Sequence, residues 1–209
     1  MIYNTLFLCT GNSARSVLAE ATLNDLGRGR FRAFSAGSLP SGRVNPFALE
    51  LLTQRGHPVD GVRSKSWDEF TAAPAGRGAS AGAPESPPTG APTGAPSGAP
   101  SGAPSGAPSG APQSPSAGTP PVPQMDFIIT VCANAAGEAC PLWPGHPATA
   151  HWGVEDPAAV EGSDAAKHAA FLTAYSILRR RIERLLALPL DALDTDAIKA
   201  HLKEIGNVP

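Results

Sequence analysis

Between Thr71 and Gln124 this 209-residue chain consists almost wholly of Gly, Ala, Pro, Ser and Thr, and that tract limits every fold the chain can adopt. Its centre repeats Gly-Ala-Pro followed by Ser or Thr, with a period of four residues from Gly90 to Pro112, and Arg77 and Glu85 are its only charges. Such a sequence has no apolar face to bury, and its prolines forbid helix and ladder bonds, so it is expected to be disordered with polyproline character. A collagen-like reading fails because glycine would have to recur every third residue, and solenoid repeats span about twenty or more. A tract that docks a partner would need anchor side chains, which the repeat lacks. Residues 1–70 and 125–209 therefore have to build one core together. The insertion at about 71–124 interrupts a single domain spanning 1–209, at a closure cost of only ~2 kcal/mol.

The first of those two pieces opens with chemistry. A strand from Tyr3 to Leu8 delivers Cys9 into Thr10-Gly11-Asn12-Ser13-Ala14-Arg15-Ser16, with five residues between the cysteine and the arginine. A helix is expected from about Arg15 through Leu18, Ala19, Ala21, Leu23 and Leu26. Backbone N–H groups of a tight loop at a helix N-terminus converge on a tetrahedral anion, and the same field favours a thiolate. Cys9 is therefore expected to have a depressed pKa and to act as a nucleophile. Arg15 can grip two anion oxygens at once, which a lysine cannot. The reading is a thiolate attacking phosphate, arsenate or a similar ester. The bland reading, a cysteine packed inertly at the end of a buried strand, does not account for the ordered run of strand, Gly, Asn, two serines, Arg and helix.

Phe31 to Gly37 reads as a second strand and Asn45 to Leu52 as a helix stopped by Gly56. Asp68-Glu69-Phe70 closes the first piece, and Met125 to Val131 is an apolar run of buried-strand type. Asp164 to Leu186 has helical spacing through Phe171, Tyr175, Leu178, Ile182 and Leu185, and a further helix runs from about Leu190 to Ile205. Strands alternating with helices imply an α/β fold: a parallel sheet covered on both faces, with chemistry at the carboxyl ends of its strands. Cys9 and Cys132 both stand at such ends and so on one rim. Arg179, Arg180, Arg181 and Arg184 read as the solvated face of a long helix near its negative end.

Cys132 and Cys140 have seven residues between them, in a loop of small side chains. Two thiols beside a third that forms a covalent adduct suggest a disulfide relay. Zinc held by Cys132, Cys140 and His151 is the rival, but the spacing is not that of a zinc knuckle and no metal is expected. Asp156, before Pro157, either donates a proton to a departing oxygen or caps the turn that Pro157 opens. Net charge is −2 with no long basic run, which argues against nucleic acid or an anionic membrane as partner. No apolar run is long enough to span a bilayer and no signal-peptide pattern opens the chain. An odd number of cysteines then points to a reducing cytoplasm.

Taken in order, Leu6 to Glu20 around the Cys9 loop, Ser35-Ala36-Gly37, Phe127 to Cys132, Cys140-Pro141 and His151 to Pro157 resemble the thioredoxin-coupled arsenate reductases, which share the fold of the low-molecular-weight protein tyrosine phosphatases. The resemblance covers nearly all of the chain outside the insertion. It implies a three-layer sandwich with a central parallel sheet of about four strands. It also implies roles: Cys9 attacks arsenate, Arg15 and the loop of Thr10, Gly11, Asn12, Ser13, Ala14 and Ser16 hold the oxygens, and Asp156 assists proton transfer. Cys132 would release arsenite by forming a Cys9–Cys132 disulfide, and Cys140 would take over the bond for thioredoxin, a glutaredoxin or a small thiol to reduce. No covalently bound cofactor is implied, only that external thiol reductant. Ser35 and Asn12 would shape the loop, and Asn12, Glu20 and Ser35 match positions that hold potassium in some relatives. Many relatives have a cysteine where this chain has Ala14, which removes none of the three relay positions. The alternative is a low-molecular-weight tyrosine phosphatase forming a cysteinyl-phosphate, for which Cys9, Arg15 and Asp156 would serve equally. Phosphatases of this fold usually place aromatics beside the Asp-Pro, where this chain has Ala158 and Ala159. A non-catalytic oxyanion or redox sensor would need neither the acid residue nor the second and third thiols.

Overall fold

The computed structural model describes residues 1–71, 123–132, 143 and 145–209. The expectation of disorder across the Gly/Ala/Pro tract, and the loop carrying Cys140, lie outside the described residues. Described residues on either side of the tract, such as Phe7 and Leu18 before it and Ile129 and Leu178 after it, lie in one apolar cluster.

Four parallel strands make the sheet: β1 (Tyr3–Cys9), β2 (Phe31–Gly37), β3 (Phe127–Thr130) and β4 (Ala148–His151), in the order β2-β1-β3-β4. Alternation along β1 explains why both faces are covered. Tyr3, Phe7 and Cys9 enter the larger apolar cluster, while Leu6 and Leu8 point to the other side with Ala36, Phe70, Met125 and Ile128. On the larger face lie α1 (Arg15–Leu26), α2 (Pro46–Gln54), α4 (Asp164–Leu186) and α5 (Thr195–Gly206), and the short α3 (Asp68–Thr71) places Phe70 on the opposite face. This is the three-layer α/β sandwich with four parallel strands. The chain leaves β1 for β2 on one side and β3 lies on the other, so the switch point of the sheet falls at the carboxyl ends of β1 and β3.

The elements end where their residues say they should. Asn45 caps α2, accepting from the Phe47 amide at 2.9 Å, with Pro46 at the first helical position. The C-terminal helix begins at Thr195, later than the pattern from Leu190 suggests, because Asp194 takes the cap by accepting from the Ala197 amide at 2.8 Å. Leu190–Ala192 is a separate 3-10 turn, with Leu190 buried and Asp191 accepting from the Tyr3 hydroxyl at 2.8 Å. Strand β4 has no strong sequence signature: Ala148–His151 is short and only Ala148 is buried, and pairing with β3 rather than propensity makes it a strand. Behind it Trp152 is fully buried and donates from Nε1 to the Leu202 carbonyl at 2.9 Å. One expectation on the long helix is corrected. Arg181 is buried rather than solvated, its guanidinium donating to the carbonyls of Val208 at 2.8 Å and Gly153 at 3.1 Å.

Candidate active site

Strand β1 ends at Cys9 and α1 begins at Arg15, leaving Thr10–Ala14 as the turn between them. Three carbonyls of this turn face outward onto the segment after β2. Thr10 accepts from the Leu39 amide at 3.0 Å, Gly11 from Ser41 at 2.9 Å and Ser13 from Asn45 at 2.8 Å. Because a trans peptide is planar, turning a carbonyl out turns the next N–H in, so the amides of Gly11, Asn12 and Ala14 face the inside of the loop. The Asn12 amide is seen there, 3.2 Å from Cys9 Sγ. Gly37, at the end of β2 opposite Cys9, has to be glycine: a Cβ at that position would overlap the Thr10 carbonyl oxygen.

Asn12 adopts φ 40°, a left-handed conformation that asparagine tolerates when its side chain is tied down. Its Oδ1 accepts from the Lys65 amide at 2.7 Å, and its Nδ2 donates to Ser16 Oγ at 3.0 Å and Ser35 Oγ at 2.8 Å. Ser35 Oγ in turn donates to Glu20 Oε2, and the Lys65 ammonium lies 3.3–3.4 Å from both Glu20 oxygens. Burial pushes the Glu20 carboxyl above its ordinary range, with the Lys65 charge the largest influence against that rise.

Cys9 is 4% exposed, and this corrects the expectation of a depressed pKa. Burial is the largest influence and pushes the thiol above its ordinary 9.0, outweighing the Ser16 hydroxyl at 2.9 Å and the amides of Ser16 and Asn12, which pull it down. The nearby Cys132 adds to the rise, and the Arg15 guanidinium is turned elsewhere. A raised pKa means less thiolate at any pH below it. Alkylation of Cys9 by iodoacetamide in the protein free of oxyanion is therefore expected to climb with pH through 9.0. Peptide mass spectrometry reads this directly, and a plateau near neutral pH would contradict it.

Arg15 reaches across to the loop after β4. It donates from Nη1 to the Val154 carbonyl at 2.9 Å and from Nη2 to Asp156 Oδ2 at 2.7 Å. The other Asp156 oxygen accepts from the Ala158 amide at 3.0 Å, so Asp156 caps the Pro157–Ala159 turn and faces the site at once. Buried Arg181, which sequence reasoning assigned to solvent, holds the Gly153 carbonyl at the base of this same loop. Cys132 lies two residues beyond the last pair of the β1–β3 ladder, and its Sγ is 3.7 Å from Thr10 Oγ1, on the rim of the Cys9 loop. A cleft of about 580 Å³ opens here, lined by Arg15, Cys132, Gly153, Val154, Glu155, Asp156 and Ala159. None of these linings is aromatic. Cys9, Arg15, Cys132, Asp156, Ser35 and the loop residues thus lie around the carboxyl ends of β1 and β3, while Cys140 lies outside the described residues.

The Low molecular weight phosphotyrosine protein phosphatase family matches residues 4–75, which include all of β1 but Tyr3, the loop, α1 and β2. An arsenate reductase of Halalkalibacterium halodurans is 25% identical over 85% of this chain and 90% of its own length. The solved arsenate reductase of Archaeoglobus fulgidus superposes with a TM-score of 0.53 at 20% identity, covering 88% of this chain and 99% of that one. The chain has the fold of the low-molecular-weight phosphotyrosine protein phosphatases, and over most of its length it is similar to arsenate reductases. A glutaredoxin arsenate reductase of Synechocystis is 36% identical over a shorter stretch, 32% of this chain and 50% of the relative.

The residues do not fit the potassium ion that the sequence resemblance implies. The Asn12 Oδ1 that a cation would need is taken by the Lys65 amide, and the Glu20 carboxylate already has the Lys65 ammonium beside it. Lys65 carried no signal of a site role in the sequence, and Arg181 read as part of a solvated helix face.

Proposed function

We propose that this chain is a thiol-dependent arsenate reductase that works through Cys9, Cys132 and Cys140 in turn. The single observation that carries the proposal is a second thiol, Cys132, on the rim of a loop whose inward amides and buried Cys9 suit a tetrahedral oxyanion. The Cys9 thiolate attacks As(V) and an arsenic-bound oxygen departs as water, its proton supplied by Asp156. Arsenate entering the loop offers Arg15 two oxygens in place of the Asp156 carboxylate, which frees Asp156 for that transfer. The Cys132 thiolate then attacks Cys9 Sγ. The S–S bond forms, the S–As bond breaks, and its electron pair stays on arsenic, which leaves as As(III) arsenite. Cys140 attacks Cys132 Sγ, returns Cys9 as a thiolate and carries the oxidation into a Cys132–Cys140 disulfide.

Each turnover oxidises two thiols, so an external thiol donor has to reduce the product disulfide. Thioredoxin or a glutaredoxin is the class of protein that does so, and a reducing cytoplasm is the compartment that supplies it. Among the described residues no helix is long and apolar enough to cross a membrane. The cleft also bears on the phosphatase reading. Its described lining has no ring to stack on a tyrosine, whereas arsenate needs only the anion cradle. The deciding experiment is to add arsenate to the fully reduced protein without a reductant and map the disulfides. One arsenite per chain with a Cys132–Cys140 bridge is expected. Fast hydrolysis of phosphotyrosine peptides with no arsenate-dependent thiol loss would establish the phosphatase instead.

A further inference from the structure

The Glu20 carboxylate lies under the Cys9 loop, 9% exposed, and a buried carboxylate needs a cation. Here the chain brings that cation itself. The Lys65 ammonium, on a side chain only 6% exposed, has three oxygen partners: Glu20 Oε2 at 3.3 Å, Glu20 Oε1 at 3.4 Å and the Arg63 carbonyl at 3.4 Å. Three donors meet three oxygens, so the ammonium is satisfied. It stands where a monovalent ion would otherwise take the carboxylate and the carbonyl, and the two ions are close in size.

Lys65 also acts through its backbone. Its amide donates to Asn12 Oδ1 at 2.7 Å, and its carbonyl accepts from the Gly37 amide at 2.9 Å at the end of β2. Lys65, Asn12, Ser35 and Glu20 therefore form a closed ring of hydrogen bonds, in which Lys65 supplies both the first link and the last. The ring holds Asn12 in its left-handed conformation, and the Asn12 amide is one of the groups on Cys9 Sγ. We infer that Lys65 is the resident cation of this loop, a positioning residue that replaces a free monovalent ion and makes the site independent of potassium. A tethered ammonium never dissociates, and a buried pair is little screened by salt.

The test uses the full-length reduced protein in KCl or in choline chloride at equal ionic strength, with two readings: the melting temperature and the rate of Cys9 alkylation by iodoacetamide at about pH 8. The wild type is expected to give the same values in both salts. Lys65→Ala in choline chloride is expected to melt about 10 °C lower, because Glu20 loses the ammonium that lies beside its buried carboxylate. Its Cys9 alkylation should slow about tenfold as the pKa moves a further unit up. Potassium, but not choline, should recover part of both losses by entering the space the lysine leaves. Lys65→Arg keeps the charge and should hold the Cys9 rate closer to wild type than Lys65→Ala does.

A wild type that is stabilised by potassium over choline overturns the inference. So does a Lys65→Ala protein whose Cys9 reacts as in the wild type, or one that potassium does not help. If Lys65→Ala does not fold, the wild-type pair of salts decides the matter alone. Neither reading involves arsenate, so a failure here is distinct from a failure of the relay.

Discussion

Cys132→Ser is expected to stop steady-state arsenate reduction, lowering turnover by ~10⁴-fold or more, as removal of a nucleophile that works in a coupled set does. The reason lies in where the thiol sits. Val131 continues the β1–β3 ladder by donating from its amide to the Leu8 carbonyl at 2.8 Å, so Cys132 stands just past the level of Cys9 and against Thr10. A serine there is nearly isosteric and breaks no strand pairing, so the fold and the cradle survive. A serine hydroxyl, however, cannot attack Cys9 Sγ to form a disulfide and expel arsenite, so the arsenic adduct has no exit. The measurement is arsenite release coupled to a thioredoxin system, alongside hydrolysis of p-nitrophenyl phosphate by the same sample. Reduction should vanish while any slow hydrolysis persists, because hydrolysis needs Cys9, Arg15 and Asp156 but not Cys132. Undiminished arsenate turnover in Cys132→Ser would remove the relay from the mechanism.

The parts of the site that could be read in the sequence are those whose constraint is local. The run from Cys9 to Ser16 specifies strand, turn and helix within itself, and β1, α1 and β2 formed over nearly the spans expected. The rim position of Cys132 followed from one further step, that parallel strands present their carboxyl ends together. Asp156 was ambiguous because its two oxygens have separate partners, one capping the turn and the other turned to Arg15 at the site. What stayed hidden depends on distant partners. Strand β4 exists because β3 pairs with it. Arg181 looked like one of four surface arginines until the packing of α4 against the chain terminus buried it beneath Gly153 and Val208. Lys65 lies 45 positions from Glu20, and no pattern in the chain links them. The thiolate of Cys9 was overestimated for a related reason: the amides and Ser16 are all present, but the cost of burial depends on the whole surrounding shell.

Arg15→Lys carries the other large effect, and it separates catalysis from stability. The guanidinium uses its two ends at once, Nη1 on the Val154 carbonyl and Nη2 on Asp156. A fork that spans two oxygens in the resting site can span two oxygens of a bound oxyanion, and an ammonium, with its charge on one nitrogen, cannot reproduce that planar two-nitrogen grip. Loss of one such grip on developing charge is expected to lower kcat/KM for arsenate about 10²–10³-fold, or roughly 3–4 kcal/mol. The same substitution should barely move the melting temperature. Asp156 is 43% exposed, and an ion pair open to water to that degree contributes only ~0–1 kcal/mol. Steady-state kinetics with arsenate and a thermal melt on the same preparation give both numbers. An activity within tenfold of wild type would mean that the charge of residue 15 matters and its fork does not. A large fall in melting temperature would mean that the Arg15–Asp156 pair holds the loop after β4 in place. The combination expected, a slow enzyme as stable as the wild type, requires that Arg15 be bound to Asp156 only until an anion arrives.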